Sequence, residues 1–413
     1  MGNGVDIEVD AGEVGMDAER LARIDRQLAR YVDDGRLAGW QVVVSRRGKR
    51  VHSSVYGLRD MEAGLPVEQD TLWRIYSMTK PVTTVAAMQL FEEGAFSLND
   101  ELSRYLPAFA DLRVYRGGPA DAAKTVPATE PIRMWQLLSH CAGLTYGFTR
   151  SSVVDEMYRD VGSDFNQKPG VTLAEQCDVW ASLPLLFEPG TSWNYSVATD
   201  VLGRVLEVLD GKPLDQVLRD RVLGPLGMDD TRWWVDEADA GRTAALYVPT
   251  PGTGEALRWD PVGKDAFRQP ALLNGGGGLI STAYDYDRFT QLLLGRGALD
   301  GTRLLSPRTL SYMTRNHLPG GKLLTDLAAG GQFSETAYDG VGFGLGFSVL
   351  VDPVAYKVPA SAGEFAWGGA ASTAFWIDPV EQVTAAFYTQ LLPSSTYAIR
   401  TELRQLVYSS IVD

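Results

Sequence analysis

Ser77-Met78-Thr79-Lys80 lies between a short apolar-aromatic run, Leu72-Trp73-Arg74-Ile75-Tyr76, and the stretch Pro81-Val82-Thr83-Thr84-Val85-Ala86-Ala87-Met88-Gln89-Leu90-Phe91-Glu92-Glu93. The second stretch reads as a helix that stops at Gly94. Apolar residues cover most of its circumference, which predicts burial on most sides. Pro81 falls near enough to the start that its missing N–H costs little. Ser77 and Lys80 are three residues apart and share one face at the mouth of that helix.

This spacing carries a specific chemistry. A serine hydroxyl is a weak nucleophile and needs a neighbouring base. A lysine serves only when neutral, which means lowering its pKa by roughly three units, or about 4 kcal/mol. Desolvation and the partial positive charge of first-turn N–H groups both act in that direction. Ser-x-x-Lys alone also occurs on solvated helix faces. The apolar helix behind it, and two later segments, make Ser77 the candidate nucleophile and Lys80 its candidate base.

Outward from this point, Asp17 is the expected N-cap of a first helix with Leu21, Ile24, Leu28 and Val32 on one face, ending at Gly35. Residues 40–45 and 51–56 read as a hairpin around Arg46-Arg47-Gly48-Lys49. A helix start is expected at 98–102 and a loop at 117–131. Helices follow at 132–140, 171–183 and 200–209. Gly275-Gly276-Gly277-Gly278 lacks the Lys-Ser/Thr of a phosphate loop and predicts close backbone packing beside a pocket. A helix over 282–294 precedes three strand runs, 342–351, 364–377 and 383–390. A helix over 395–412 closes the chain, with Ile399, Leu403, Leu406 and Val407 on one face. Both chain ends would then form the sheet domain (1–84 and 241–413) around an inserted, mainly helical domain (85–240).

Trp193-Asn194-Tyr195-Ser196-Val197 follows a turn and precedes a helix. Tyr195 could share a proton with a nearby lysine, or simply pack with its hydroxyl satisfied. Trp367-Gly368-Gly369-Ala370 lies in a strand run, where paired glycines signal either close backbone approach or a bulge. In the first case the Ala370 N–H could face an acyl oxygen together with that of Ser77.

Composition narrows the functional classes. The chain has 413 residues, 52 acidic and 38 basic, for a formal charge of -14. That balance argues against nucleic-acid and anionic-membrane partners. No stretch is apolar and long enough to span a bilayer, and the N-terminal residues lack a signal-peptide pattern, so a cytoplasmic location is expected. Two cysteines and three histidines, scattered in sequence, suggest neither a disulfide scaffold nor a metal site.

Taken together and in this order, these segments resemble the serine β-lactamase and penicillin-binding-protein superfamily, and within it most closely the family VIII carboxylesterases. The resemblance runs from about Asp17 to the end. It rests on Ser77-Met78-Thr79-Lys80, Leu137-Leu138-Ser139-His140-Cys141-Ala142-Gly143-Leu144, Pro189-Gly190-Thr191-Ser192-Trp193-Asn194-Tyr195-Ser196 and Trp367-Gly368-Gly369. It implies an α/β protein of the α+β type: an antiparallel sheet flanked by the N- and C-terminal helices, with a helical insertion. It also implies Ser77 as nucleophile, Lys80 and Tyr195 as the base pair, and the N–H groups of Ser77 and Ala370 as oxyanion hole. Two departures stand out. Val197 replaces the usual Asn, and Trp367 replaces the Lys that meets a β-lactam carboxylate; both favour an uncharged ester. Trp367, Gly368, Gly369, Tyr146 and Phe148 are the expected pocket lining, with aromatic core packing as the alternative. His140 is expected to be structural, since no Gly-x-Ser-x-Gly elbow accompanies it. Asp200 either supports the site from behind or is a solvated helix-start carboxylate. The expected function is hydrolysis of small, short-chain esters through an acyl-enzyme, without cofactor. The rivals are acyl transfer, amide or β-lactam hydrolysis at the same site, and a non-catalytic acyl- or peptidyl-binding role.

Overall fold

The computed structural model describes residues 4–164, 170–259, 261, 264–328 and 335–413. Its centre is an eight-stranded antiparallel sheet that joins the two ends of the chain. In spatial order the strands are Val341–Phe343, Ser348–Leu350, Phe365–Gly368, Ala374–Asp378, Val383–Tyr388, Gly39–Arg46, Lys49–Asp60 and Leu65–Pro66. The expected hairpin is the join between N-terminal strands, with Arg46 opposite Lys49. Arg47 and Gly48, at φ 54° and 72°, form its two-residue turn. Positive φ at both positions matches the right-handed twist of the flanking strands.

Side chains alternate across this sheet as the pleat requires. Val42, Val44, Trp376, Ala385 and Phe387 join one core with Ile24 and Leu28 of the helix Ala18–Asp33 and with Leu403 and Val407 of the helix Ile399–Ser409. Val43, Phe375, Ile377, Ala386 and Tyr388 face the other way, onto Tyr286 and Phe289 of the helix Ala283–Leu294. Asp17 caps the first helix by accepting from the Arg20 N–H.

Five expectations are corrected. The runs 342–351 and 364–377 each fold back on themselves, giving two strands apiece instead of one. Gly344 allows the first reversal, because a Cβ there would meet the Met313 carbonyl at 2.2 Å. The start expected at 98–102 yields only a single tight turn, Leu102–Arg104. The loop expected at 117–131 contains the strand Lys124–Pro127, which pairs with Arg113–Gly117. The helix expected at 132–140 is short, Met134–Leu138, and His140 leaves it with φ 57°.

The helix Thr79–Glu92 is buried almost throughout, against the helix Ala198–Asp210. Its first turn is fixed from several sides. Tyr286 donates to the Met78 carbonyl at 2.9 Å, Thr83 to that of Gly275 at 2.8 Å, and the Leu279 N–H donates to Thr79 at 3.0 Å. The helix behind Ser77 is thus tied to the glycine run before any side chain of the site is considered.

Candidate active site

Ser77 sits in the tight turn Tyr76–Met78 that leads into the buried helix. Tyr76 has φ 44°, a conformation unusual for a bulky residue, and it lifts Ser77 out of the preceding strand Trp73–Arg74. Nothing in the sequence signals this strained step. Ser77, Tyr146, Phe148, Val197, Asp200 and Ala370 line one cavity of about 480 Å³. Lys80 and Tyr195 lie just beneath that lining, each 2% exposed.

Lys80 Nζ donates to Ser77 Oγ at 3.4 Å, to Tyr146 Oη at 2.9 Å and to the Gly276 carbonyl at 2.6 Å. Burial lowers its pKa to about 8, against the opposing charges of Asp200 and Glu335. Desolvation disfavours the ammonium, so a lysine here is partly neutral near neutral pH.

The pairing expected for Lys80 is corrected in one respect. Tyr195 presents its ring to the amine, with Nζ 4.5 Å from the ring centroid, and its hydroxyl is not the bonded phenol. Tyr146 takes that place. Tyr195 Oη has no hydrogen-bond partner among the described residues. Burial pushes its pKa well above 10, while the Ser77 hydroxyl and Trp367 pull the other way. It is therefore a neutral phenol facing Ser77, suited to donate a proton and not to act as a standing phenolate.

Asp200 is buried, so it is not a solvated helix-start carboxylate. Its Oδ1 accepts from the Gly276 N–H at 2.8 Å, and Tyr146 Oη lies 3.5 Å from its Oδ2. Burial raises its pKa to about 6, with Lys80 as the leading opposing influence. Gly276 thus connects the carboxylate to the amine through its N–H and carbonyl. A Cβ at this position would come 2.6 Å from Asp200 Oδ2, which gives the glycine its reason. Gly278 is equally constrained, with Trp233 at 2.5 Å.

His140 is a buried packing residue, 1% exposed, with Nδ1 3.2 Å from Ser196 Oγ. Its ring packs edgewise on Tyr195, centroids 5.1 Å apart. Burial and the charge of Lys80 hold its pKa well below 6.5. A neutral imidazole fixing the Tyr195 ring fits its place in the fold.

Trp367, Gly368 and Gly369 do not line the cavity, contrary to expectation. Trp367 is 2% exposed and packs edgewise on Tyr195 and Phe343, centroids 5.3 Å away in both cases. A Cβ on Gly368 would meet the Arg400 guanidinium at 2.4 Å. One on Gly369 would meet the Ile75 carbonyl at 2.3 Å. Gly368 thus makes room for Arg400, and Gly369 lets the chain press against the turn that carries Ser77, next to Ala370 in the cavity wall. Tyr146 and Phe148 do line it, stacked with centroids 4.6 Å apart. Among the described residues no cluster of three potential metal ligands occurs, and no helix is long and apolar enough to cross a membrane.

A serine beside a desolvated lysine, on a buried helix behind a two-ended antiparallel sheet, defines a serine hydrolase site of the β-lactamase-like kind. Residues 24–409 match the family model described as Beta-lactamase, and the chain belongs to that family. Esterase EstB of Burkholderia gladioli is 32% identical over 389 residues, covering 90% of this chain and 90% of the relative. A lovastatin esterase of Penicillium rubens is 30% identical over 376 residues, 86% of this chain and 89% of the relative. The solved structure of EstCE1, described as a hydrolase with promiscuous acyltransferase activity, superimposes with a TM-score of 0.77 at 29% identity, over 95% of this chain and 98% of that one. The resemblance to family VIII esterases within this superfamily holds.

Proposed function

We propose that the protein hydrolyses uncharged carboxylic esters, short-chain acyl esters among them, through an acyl-enzyme on Ser77. The observation that carries this is the buried Lys80 amine, 3.4 Å from Ser77 Oγ, with its pKa lowered to about 8. At that value roughly one tenth of the lysine is neutral at pH 7. Neutral Lys80 takes the Ser77 proton as Oγ attacks the ester carbonyl. The N–H groups of Ser77 and Ala370 hold the oxyanion. The Tyr195 phenol then protonates the departing alkoxide, and the proton held by Lys80 restores it through solvent, since the two side chains share no hydrogen bond. Water repeats the sequence on the acyl-enzyme.

Tyr146 and Asp200 act through Lys80. The phenol accepts from its Nζ, and the carboxylate opposes the lowering of its pKa, which keeps that pKa near the working range. Val197 adds an apolar wall and no side-chain amide, which supports an uncharged substrate over a β-lactam. The names of EstB and the lovastatin esterase point the same way. EstCE1's described acyltransferase activity favours one second reading, in which an alcohol replaces water in the final step.

The test compares kcat/KM for 4-nitrophenyl butanoate and a chromogenic cephalosporin, with Ser77→Ala as the blank. Preference for the ester supports the proposal, and preference for the cephalosporin overturns it. Addition of a primary alcohol, with products separated by chromatography, distinguishes transfer from hydrolysis.

A further inference from the structure

The cavity beside Ser77 is far larger than a short acyl group needs. At about 480 Å³ it lies within the range of pockets that hold drug-sized ligands. Away from the nucleophile its wall includes Phe148, Val171, Trp180 and Leu272 together with Gln176, and the exposed Arg268 and Gln269 also line it. Gln176 and Trp180 are four residues apart on the helix Leu173–Ser182, on one face. That helix is fixed by a capping box between Thr172 and Glu175, so the face is held independently of any ligand.

Two polar groups in this wall have partners in the protein. Trp180 Nε1 donates to Ser163 Oγ at 2.8 Å, and Asn274 Oδ1 accepts from the Gly276 N–H at 2.9 Å. Gln176 is different. The residue is 5% exposed, and its side-chain nitrogen is buried with no hydrogen-bond partner among the described residues. A buried amide donor without an acceptor is costly and rare in a core. In the wall of a cavity such a group has a use, because a ligand can supply the acceptor.

We propose that Gln176 is a specificity-determining residue that donates a hydrogen bond to a neutral polar group on a bulky, otherwise apolar half of the ester. This rests on the ester reading of the Ser77 site and adds the class of substrate. The large half occupies the wall of Phe148, Trp180 and Leu272, and its carbonyl, amide or hydroxyl oxygen meets the Gln176 amide. A substrate of equal bulk without that oxygen leaves the amide unpaired and binds less well.

Intact esters bound to Ser77→Ala protein provide the test, since binding is then read without turnover. Two matched pairs are titrated by calorimetry. One is 4-nitrophenyl 4-phenylbutanoate and its 4-(4-carbamoylphenyl) counterpart, which varies the acyl half. The other is 2-naphthyl acetate and 6-carbamoyl-2-naphthyl acetate, which varies the alcohol half. In at least one pair the carbamoyl member is expected to bind about 10-fold more tightly. Adding Gln176→Met is expected to erase that difference and to raise Tm by about 1–3 °C, because an unpaired buried amide is removed. Equal affinities in both pairs, or a preference that survives Gln176→Met, overturns the proposal. The comparison within Ser77→Ala alone decides the matter if the methionine variant folds poorly. Carbamoyl-dependent binding with no turnover by the wild type would refute the esterase reading and leave only the Gln176 contact standing. Turnover without carbamoyl preference would do the reverse.

Discussion

Replacing Tyr146 by Phe removes one hydroxyl and should move the pH dependence of catalysis in a defined direction. Tyr146 Oη accepts from Lys80 Nζ at 2.9 Å, in a site where burial has already lowered the lysine pKa to about 8. An acceptor stabilises the ammonium more than the free amine. A hydrogen bond to a charged group contributes about 1.5–3 kcal/mol, equivalent to about 1–2 pKa units. Ser77 Oγ and the Gly276 carbonyl remain as partners, so the lower part of that range applies. Loss of the hydroxyl therefore lowers the Lys80 pKa further and enlarges the neutral fraction at a given pH. Because attack requires the neutral amine, the acidic limb of kcat/KM moves to lower pH by about one unit. The assay is kcat/KM for 4-nitrophenyl acetate between about pH 5 and 9, with wild type and Tyr146→Phe matched for fold by circular dichroism. A limb that stays in place, or shifts to higher pH, would refute the role given to Tyr146.

Other substitutions separate the remaining roles. Tyr195→Phe should cut kcat by about 10²–10⁴-fold, the usual contribution of positioned proton transfer, whereas His140→Asn should keep kcat per folded molecule within about 10-fold. Asparagine tolerates the φ of 57° at position 140, so any loss there should show mainly as a lower Tm in thermal melts. Gly276→Ala should lower kcat at least 10-fold, because its Cβ would stand 2.6 Å from Asp200 Oδ2. Gly277→Ala, where the nearest atom is 3.8 Å away, should be near wild type in the same kinetic assay. Trp367→Lys should lower Tm and gain no cephalosporin turnover, since the new charge would be buried against Tyr195 and Phe343. Increased cephalosporin turnover in a stable variant would show that this strand position faces the ligand after all.

Much of the frame was legible because local rules dominate it. The terminal helices follow apolar periodicity, the first hairpin follows its two-residue turn, and the glycine run follows the close packing that glycine alone permits. The misread segments lack such rules. Residues 342–351 and 364–377 are apolar on both faces, so periodicity shows neither where a strand reverses nor which way a side chain points. The sequence therefore reads Trp367 into the pocket, whereas every residue of the strand Phe365–Gly368 is buried and the ring packs edgewise on Tyr195. The Lys80–Tyr146 bond spans 66 positions and leaves no local trace. The same holds for Asp200, whose burial depends on a glycine 76 positions away. Positive φ at Tyr76 is a tertiary consequence of joining a strand to a buried helix, with no turn residue to announce it.

The central claim, that Ser77 is the nucleophile and Lys80 its base, is tested most directly by trapping. An organophosphonate ester is incubated with the protein, and the labelled site is located by mass spectrometry of a digest. The expected result is a single adduct on Ser77, formed at a rate that rises as Lys80 loses its proton near pH 8 and that collapses in Lys80→Ala. An adduct on another residue, or labelling of Ser77 that is indifferent to the loss of Lys80, would contradict it.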